Sequence, residues 1–372
     1  MLQFAIPCLL GLESLVGDEV KKLGLADIRV ENGRVLCRGE ERDLARLNIN
    51  LRCGARVLLV LASFRATDFE TLFQGTRAVR WEDWIPREGE FPVTGYSINS
   101  TLHSVPACQS IVKKAVVERL GAAYGLETLP ETGKRYQIRF SIMKDEVMLC
   151  LDASGEGLYK RGYRAVGVAA PLKETLAAAL VKLSHYNGRD PFCDPFCGSG
   201  TIAIEAALIA RNRAPGLNRS FAAQHWAMVD KRIWLDAADE AMDNEFHGKY
   251  EIWGGDIDPH AVEIARHNAE LAEVDDTVRF EVDDATRFHW GGQYGRVVTN
   301  PPYGERLLEQ KEAEELYRAF GRAVDKLPET WRVYVLSSHT EFERCFGRTA
   351  DKKRKLYNGM LKCDLFMYGK RL

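Results

Sequence analysis

Four short stretches in the C-terminal half combine residue types that could hold a nucleotide-like ligand and act on a base. The first is Asp194-Pro-Phe196-Cys-Gly198-Ser-Gly200-Thr201, which runs into an apolar helix expected over 202–211. Glycines after a strand let a ligand approach the backbone closely, and the helix N-terminus behind them favours negative charge. The stretch has no GK[ST] of a phosphate loop, and Ala203 takes the place of the third glycine of the dinucleotide fingerprint. For the glycines alone, a plain strand-to-helix turn is the alternative. The second stretch is Gly254-Gly-Asp256-Ile257-Asp258-Pro259. A carboxylate at a strand end can accept both hydroxyls of a ribose, and Ile257 can cover one face of a purine. Asp258, just before Pro259, reads as the N-cap of a helix over 259–271.

The third stretch, Asp284-Ala285, follows a strand over 278–282. Asp284 stands where it can accept a hydrogen bond from an adenine amino group; taken alone, Asp283 and Asp284 are solvated loop carboxylates. The fourth is Asn300-Pro301-Pro302-Tyr303, directly after the apolar strand 296–299. Two prolines stiffen that loop, so the Asn300 side chain and nearby carbonyls can be held at fixed positions. An exocyclic amino group on a base is a poor nucleophile, because its lone pair is delocalised into the ring. Acceptors gripping its two hydrogens restore nucleophilicity, and Tyr303 can stack on a base taken out of its helix. No general base is evident.

The elements that must carry these stretches follow from periodicity. From Leu172 onward, short apolar strands, Gly- or Pro-bearing turns and amphipathic helices alternate, the pattern of a parallel α/β sheet. Strands are expected over 190–194, 251–256, 278–282, 296–299 and 331–337, and Asn358-Gly359 marks a terminal antiparallel hairpin. The first part is α+β. It has a hairpin of 136–142 and 146–152 across Lys144-Asp145, and a helix over 107–124 that gathers Ile111, Val112, Ala115, Val116 and Leu120 on one side. The Gly- and Arg-rich stretch 155–170 is the expected linker. The apolar start has no Lys or Arg before Lys21, is interrupted by Glu13 and is too short to span a bilayer, so it reads as a strand entering a helix of a cytoplasmic protein without a membrane anchor.

The chain has 372 residues, 46% hydrophobic and 28% charged, with 51 Lys+Arg against 53 Asp+Glu. That is enough apolar material for two or more cores, and the net charge of -2 excludes a bulk polycation, so nucleic acid would have to meet a local basic surface. Nine Cys, odd in number and with no CxxC pair, argue against a zinc ribbon and a disulfide framework. Eight scattered His without HxxxH or HxH spacing point to no metal. Trp226 and Trp234 read as packing residues. Lys352-Lys-Arg354-Lys355 is either a charged edge strand or a phosphate contact.

In this order at successive strand ends, the four stretches resemble the class I S-adenosylmethionine-dependent methyltransferases with an NPPY amino-methylating loop. The resemblance covers roughly 166–372 and includes Ala170-Pro171-Leu172-Lys173-Glu174-Thr175, similar to the family's methionine-side helix start. It implies a Rossmann-like sheet with S-adenosylmethionine as cofactor. Asp194, Phe196, Gly198, Gly200, Thr201, Lys173 and Glu174 would lie toward the methionine portion, Asp256 and Ile257 toward the ribose and purine, and Asp284 and Ala285 toward the adenine amino group. Asn300, Pro301, Pro302 and Tyr303 would meet the target base.

Upstream, Thr71-Leu-Phe-Gln-Gly-Thr-Arg-Ala-Val-Arg-Trp-Glu-Asp-Trp84, Phe91-Pro-Val and Ser104-Val-Pro-Ala-Cys-Gln-Ser-Ile-Val-Lys-Lys114 resemble the THUMP RNA-binding domain. Gly157-Leu-Tyr-Lys-Arg-Gly-Tyr-Arg164 and the extended loop 300–306 are similar to the bacterial large-subunit rRNA guanine-N2 methyltransferases, which are often described as DNA adenine-N6 methylases. The resemblance implies a ferredoxin-like α+β subdomain over 1–65, a THUMP domain over 66–160 and a methyltransferase domain over 161–372. It implies RNA, 23S rRNA or its precursor particle, as partner, with Lys113, Lys114, Arg135, Lys352 and Arg354 as RNA contacts. Methylation of tRNA guanine N2, of DNA adenine N6, or RNA binding without turnover are the alternatives. A fragment from about residue 166 would contain every expected donor-binding residue.

Overall fold

The computed structural model describes residues 1–164, 172–303 and 310–369, and two seven-stranded sheets organise them. The first unit runs β1 (Leu2–Pro7), α1 (Glu13–Lys22), β2 (Ala26–Glu31), β3 (Arg34–Gly39), α2 (Glu41–Asn50), β4 (Leu58–Arg65), α3 (Phe69–Arg77), β5 (Val93–Ile98), α4 (Val105–Tyr124), β6 (Ile138–Met143) and β7 (Glu146–Asp152). Lys144 and Asp145 both adopt positive φ, 53° and 67°, the backbone that a two-residue hairpin turn between β6 and β7 requires. Helix α4 buries Cys108, Val112, Ala115, Val116 and Leu120 and ends at Gly125 in the left-handed region.

The strand order is β2-β3-β1-β4-β7-β6-β5. Strand β4 pairs antiparallel with β7 from Leu58↔Asp152 to Arg65↔Glu146. The two N-terminal subdomains expected from the sequence are therefore halves of one continuous sheet.

The second unit runs α5 (Glu174–Leu183), β8 (Phe192–Asp194), α6 (Thr201–Ala210), α7 (Arg232–Asp243), β9 (Ile252–Asp256), α8 (Pro259–Leu271), β10 (Val278–Val282), β11 (Arg296–Thr299), α9 (Gln310–Val324), β12 (Arg332–Ser337), α10 (Phe342–Phe346), β13 (Lys352–Asn358) and β14 (Leu361–Tyr368). Strand β8 begins after Pro191, which has no N–H to give the ladder. The order β10-β9-β8-β11-β12-β14-β13, parallel except for the closing hairpin, is that of a class I methyltransferase sheet. Its central strands are buried on both faces, so they read as continuous apolar runs. Val297, Val333 and Val335 face the cluster formed with α9 and α10, while Val298, Tyr334 and Leu336 face the cluster that includes α5, α6 and α8.

That second cluster runs on without a break into the core of the first unit. Trp226 stacks on Tyr136 of the first unit at 5.8 Å between ring centroids, and Trp234 stacks on Phe221 at 5.4 Å, as packing residues should. Ion pairs that cross the same junction include Lys182 to Glu19 at 2.6 Å and Arg46 to Glu240 at 2.9 Å, and Arg161 of the connecting segment meets Glu205 at 3.3 Å with both side chains buried. No described helix is long and apolar enough to cross a membrane.

Candidate active site

Parallel pairing brings the C-terminal ends of β8, β9, β10 and β11 to one edge of the sheet, where ligands of open α/β folds bind. All four stretches singled out in the sequence therefore converge. The turn after β8 has Gly198 at φ 51° and Gly200 at φ 82°, a backbone that L side chains seldom adopt. A Cβ on Gly200 would lie 2.7 Å from Phe280 and 2.9 Å from Ala265, so the helix start is pressed onto α8 and β10. A Cβ on Gly198 would meet nothing within 4 Å, which leaves that face of the turn open.

Asp256 couples the two turns. Its Oδ2 accepts the Gly198 N–H at 2.9 Å and its Oδ1 accepts the Asp258 N–H at 3.0 Å. Each carboxylate oxygen has a second lone pair, so a diol can still be held. Ile257, beside it, is 72% exposed, a large apolar side chain presented to whatever occupies the edge. Asp258 caps α8 by accepting the His260 N–H at 2.9 Å. Asp284 Oδ1 accepts both the Thr286 N–H at 2.9 Å and the Thr286 hydroxyl at 2.7 Å, and these bonds hold its carboxyl below the usual range. Its outer oxygen lies 3.7 Å from the exposed Arg287, and Ala285 is buried.

Asp194, at the end of β8, is 1% exposed. Its Oδ1 accepts the Thr299 hydroxyl at 2.6 Å and the Phe196 N–H at 3.3 Å, tying the glycine turn to the residue before Asn300. Burial, with Asp256 nearby, pushes its pKa up to about 7. The Asn300 loop is pinned in turn by two tyrosines. Tyr317 on α9 donates to the Pro302 carbonyl at 2.5 Å, and the Tyr303 hydroxyl donates to Asn300 Oδ1. Burial raises the Tyr303 phenol well above its ordinary pKa. Residues 304–306 of the extended loop lie outside the described residues.

At the start of α5, Glu174 is 3% exposed and lies 3.4 Å from Arg164, which also donates to Thr201 Oγ1 at 2.7 Å and the Leu172 carbonyl at 2.9 Å. Its other oxygen, Oε2, is buried with no hydrogen-bond partner among the described residues, and burial raises its pKa. An orphaned buried acceptor beside an open glycine turn fits a ligand with an ammonium group. Lys173, by contrast, is exposed with its ammonium over the Tyr159 ring. Ala170 and Pro171 lie outside the described residues. Thr299 and Tyr317 escaped the sequence reading, which named Arg164 only as the end of the stretch 157–164 and gave it no role in the site. Only the position of Thr299, directly before the Asn-Pro-Pro-Tyr turn, offered a signal.

The expected RNA contacts separate into two kinds. Lys113 is already engaged within the protein: its ammonium meets both oxygens of Glu131 at 2.7 Å and the Phe91 carbonyl at 3.1 Å. Arg354 donates to the Gly11 carbonyl. Lys114, Arg135 and Lys352 are exposed, with Arg135 bonded to Gln137 at 2.8 Å. No group of His, Cys, Asp and Glu among the described residues could hold a metal ion.

Comparison with known proteins shows the family and the fold. Family models match residues 161–366 as an RMKL-like methyltransferase domain, 3–58 as an RlmL ferredoxin-like domain and 66–152 as a THUMP domain. YpsC of Bacillus subtilis strain 168, whose name assigns it provisionally to the RNA methyltransferases, is 45% identical over 96% of this chain and 94% of its own. A possible methylase from Clostridium difficile 630 superposes with a TM-score of 0.95 at 43% identity, covering 100% of this chain and 98% of that one. SMU.472, provisionally a methyltransferase and crystallised with SAH, gives 0.92 at 42% identity, covering 100% and 99%. With a ferredoxin-like and a THUMP domain ahead of its methyltransferase domain, the chain belongs to the THUMP-bearing, RMKL-like methyltransferase family.

Proposed function

We propose that this S-adenosylmethionine-dependent methyltransferase modifies the N2 amino group of a guanine in 23S rRNA, with residues 1–65, 66–160 and 161–372 as its ferredoxin-like, THUMP and catalytic parts. The observation that carries the reading is the Asn300-Pro301-Pro302-Tyr303 turn, held at a strand end by Tyr317 on one side and by the Thr299–Asp194 bond on the other. S-adenosylmethionine supplies a methyl group on a sulfonium, ready for in-line displacement. Asp256 holds the ribose diol, Ile257 covers the purine, Asp284 and Ala285 bound the adenine edge, and Gly198, Gly200, Thr201 and Phe196 shape the backbone cradle. Glu174 Oε2 accepts the ammonium of the methionine end.

Asn300 grips the acceptor amine once the Tyr303 hydroxyl releases its oxygen, and the Tyr303 ring stacks on the extruded base. The amine would gain the methyl as the donor's S–C bond breaks and would lose its proton during or after transfer; positioning supplies most of the acceleration, since an amine held in line needs no covalent intermediate. Lys114 and Arg135 on the THUMP half contact RNA phosphates. Nucleoside analysis of RNA from a deletion strain tests the assignment: one N2-methylguanosine should vanish from 23S rRNA. Loss from tRNA instead, or of N6-methyladenine from DNA, would replace the substrate. Unchanged methylation everywhere would favour a binding role without turnover. The variant Asn300→Ala should bind cofactor normally yet fail to restore the mark.

A further inference from the structure

A cleft of about 1110 Å³ lies between α1 of the first unit and the closing hairpin of the second sheet. Its walls carry Lys21, Lys22, Lys182, Arg332, Lys352 and Arg354 against two acids, Asp18 and Asp351, in a chain whose net charge is -2. Two of the six cations are committed, Lys182 to Glu19 and Arg354 to the Gly11 carbonyl. Lys21, Lys22, Arg332 and Lys352 have neither an ion pair nor a side-chain hydrogen bond among the described residues. Asp351 uses Oδ2 to accept the Gly369 N–H at 2.7 Å.

Cations brought together from helix α1, the start of β12 and the hairpin repel one another, and the two acids of the walls, Asp18 and Asp351, offset only part of their charge. A polyanion would, and it would draw strength from releasing its counterions. Lys21, Lys22 and Lys352 are exposed and Lys182, Arg332 and Arg354 half-buried, and the charges are spread along two walls, not converged on a buried point as a site for a single small anion would be. That arrangement suits a chain of phosphates lying across the junction of the two units.

The cleft is not the methyl-transfer edge. Arg332 opens β12, whereas Ser337 at its far end lies beside the end of β11 that carries Asn300. Five residue steps separate Arg332 from Ser337, roughly 17 Å at about 3.3 Å per residue.

Building on the RNA-methyltransferase reading, we propose that this cleft is a second phosphodiester-binding site that anchors substrate RNA at the end of the sheet opposite the reacting base. An RNA long enough to reach both ends feels it, and a short one does not.

The test uses the full chain and the double variant Lys21→Glu/Lys22→Glu, at exposed positions without partners, with SAH affinity as the check on folding. Binding of a fluorescein-labelled single-stranded RNA several tens of nucleotides long is titrated across a salt series. The variant should bind about tenfold more weakly at low salt, with a salt slope lower by about 1.4, two contacts at about 0.7 each. A trinucleotide should bind both proteins alike. RNA should also protect Lys21, Lys22 and Lys352 of the wild type from acetylation. Equal affinity and slope for long RNA, or no protection while the RNA is bound, would overturn the cleft and leave the RNA reading intact. A wild type that binds no RNA would overturn both.

Discussion

The buried Asp194 makes the stability of this protein depend on pH in a way that one substitution should erase. Its pKa is pushed from the ordinary 3.8 to about 7, chiefly because ionisation would place a charge at a 1% exposed position. An acid whose folded pKa lies above its unfolded value keeps its proton longer in the folded state. The folded chain therefore binds the extra proton between about pH 4 and pH 7, and stability present below that window is lost as pH rises through it. At about 1.4 kcal/mol per pH unit the full loss is about 4 kcal/mol, of which about 3 kcal/mol falls between pH 5 and pH 7. Asp194→Asn keeps an Oδ1 to accept from Thr299 and from the Phe196 N–H but carries no charge at any pH.

The assay is urea unfolding of both proteins at a series of pH values from about 5 to 8. Taking the difference between variant and wild type cancels every other titrating group. The variant should gain on the wild type by about 3 kcal/mol across the acid half of that range and then run parallel to it. A difference that stays constant from pH 5 to pH 8 would refute the assignment of a buried, neutral carboxyl beneath the glycine turn.

Gly200→Ala should lower stability by about 2 to 5 kcal/mol, combining left-handed backbone strain with overpacking against Phe280 and Ala265, and should abolish SAH binding in calorimetry. Tyr303→Phe keeps the stacking ring and frees Asn300 Oδ1, so methylation should stay within a fewfold of wild type, whereas Tyr303→Ala should lose most of it; equal rates for the two would remove stacking from the mechanism. Lys113→Ala should cost about 1 kcal/mol of stability through its Glu131 pair and leave the salt slope of RNA binding unchanged, while Lys114→Glu should do the reverse.

What the sequence determined by itself was everything set by neighbours in the chain. The strands Val278–Val282 and Arg296–Thr299 and the helix Pro259–Leu271 lie where periodicity, proline and the Asp258 cap put them, because those signals act within a few residues. The glycine turn, Asp256, Asp284 and the Asn300 turn were legible for the same reason, and a parallel sheet leaves their strand ends no other edge to share.

Which charges are spent and which surfaces are joined depends on packing between distant segments. Thr299 meets Asp194 across 105 residues, and Lys113 meets Glu131 at the end of a separate loop, so neither partnership leaves a local trace. Residue 166 looked like a place to cut. Instead, Glu205 depends on Arg161 and the two units share one apolar cluster, so a fragment starting there would bury an uncompensated carboxylate and expose the face of α5 and α6. The pairing of β4 with β7 and the assembly of Lys21, Arg332 and Lys352 around one cleft likewise bring distant segments together, and contacts of that kind depend on packing that no stretch of sequence encodes alone.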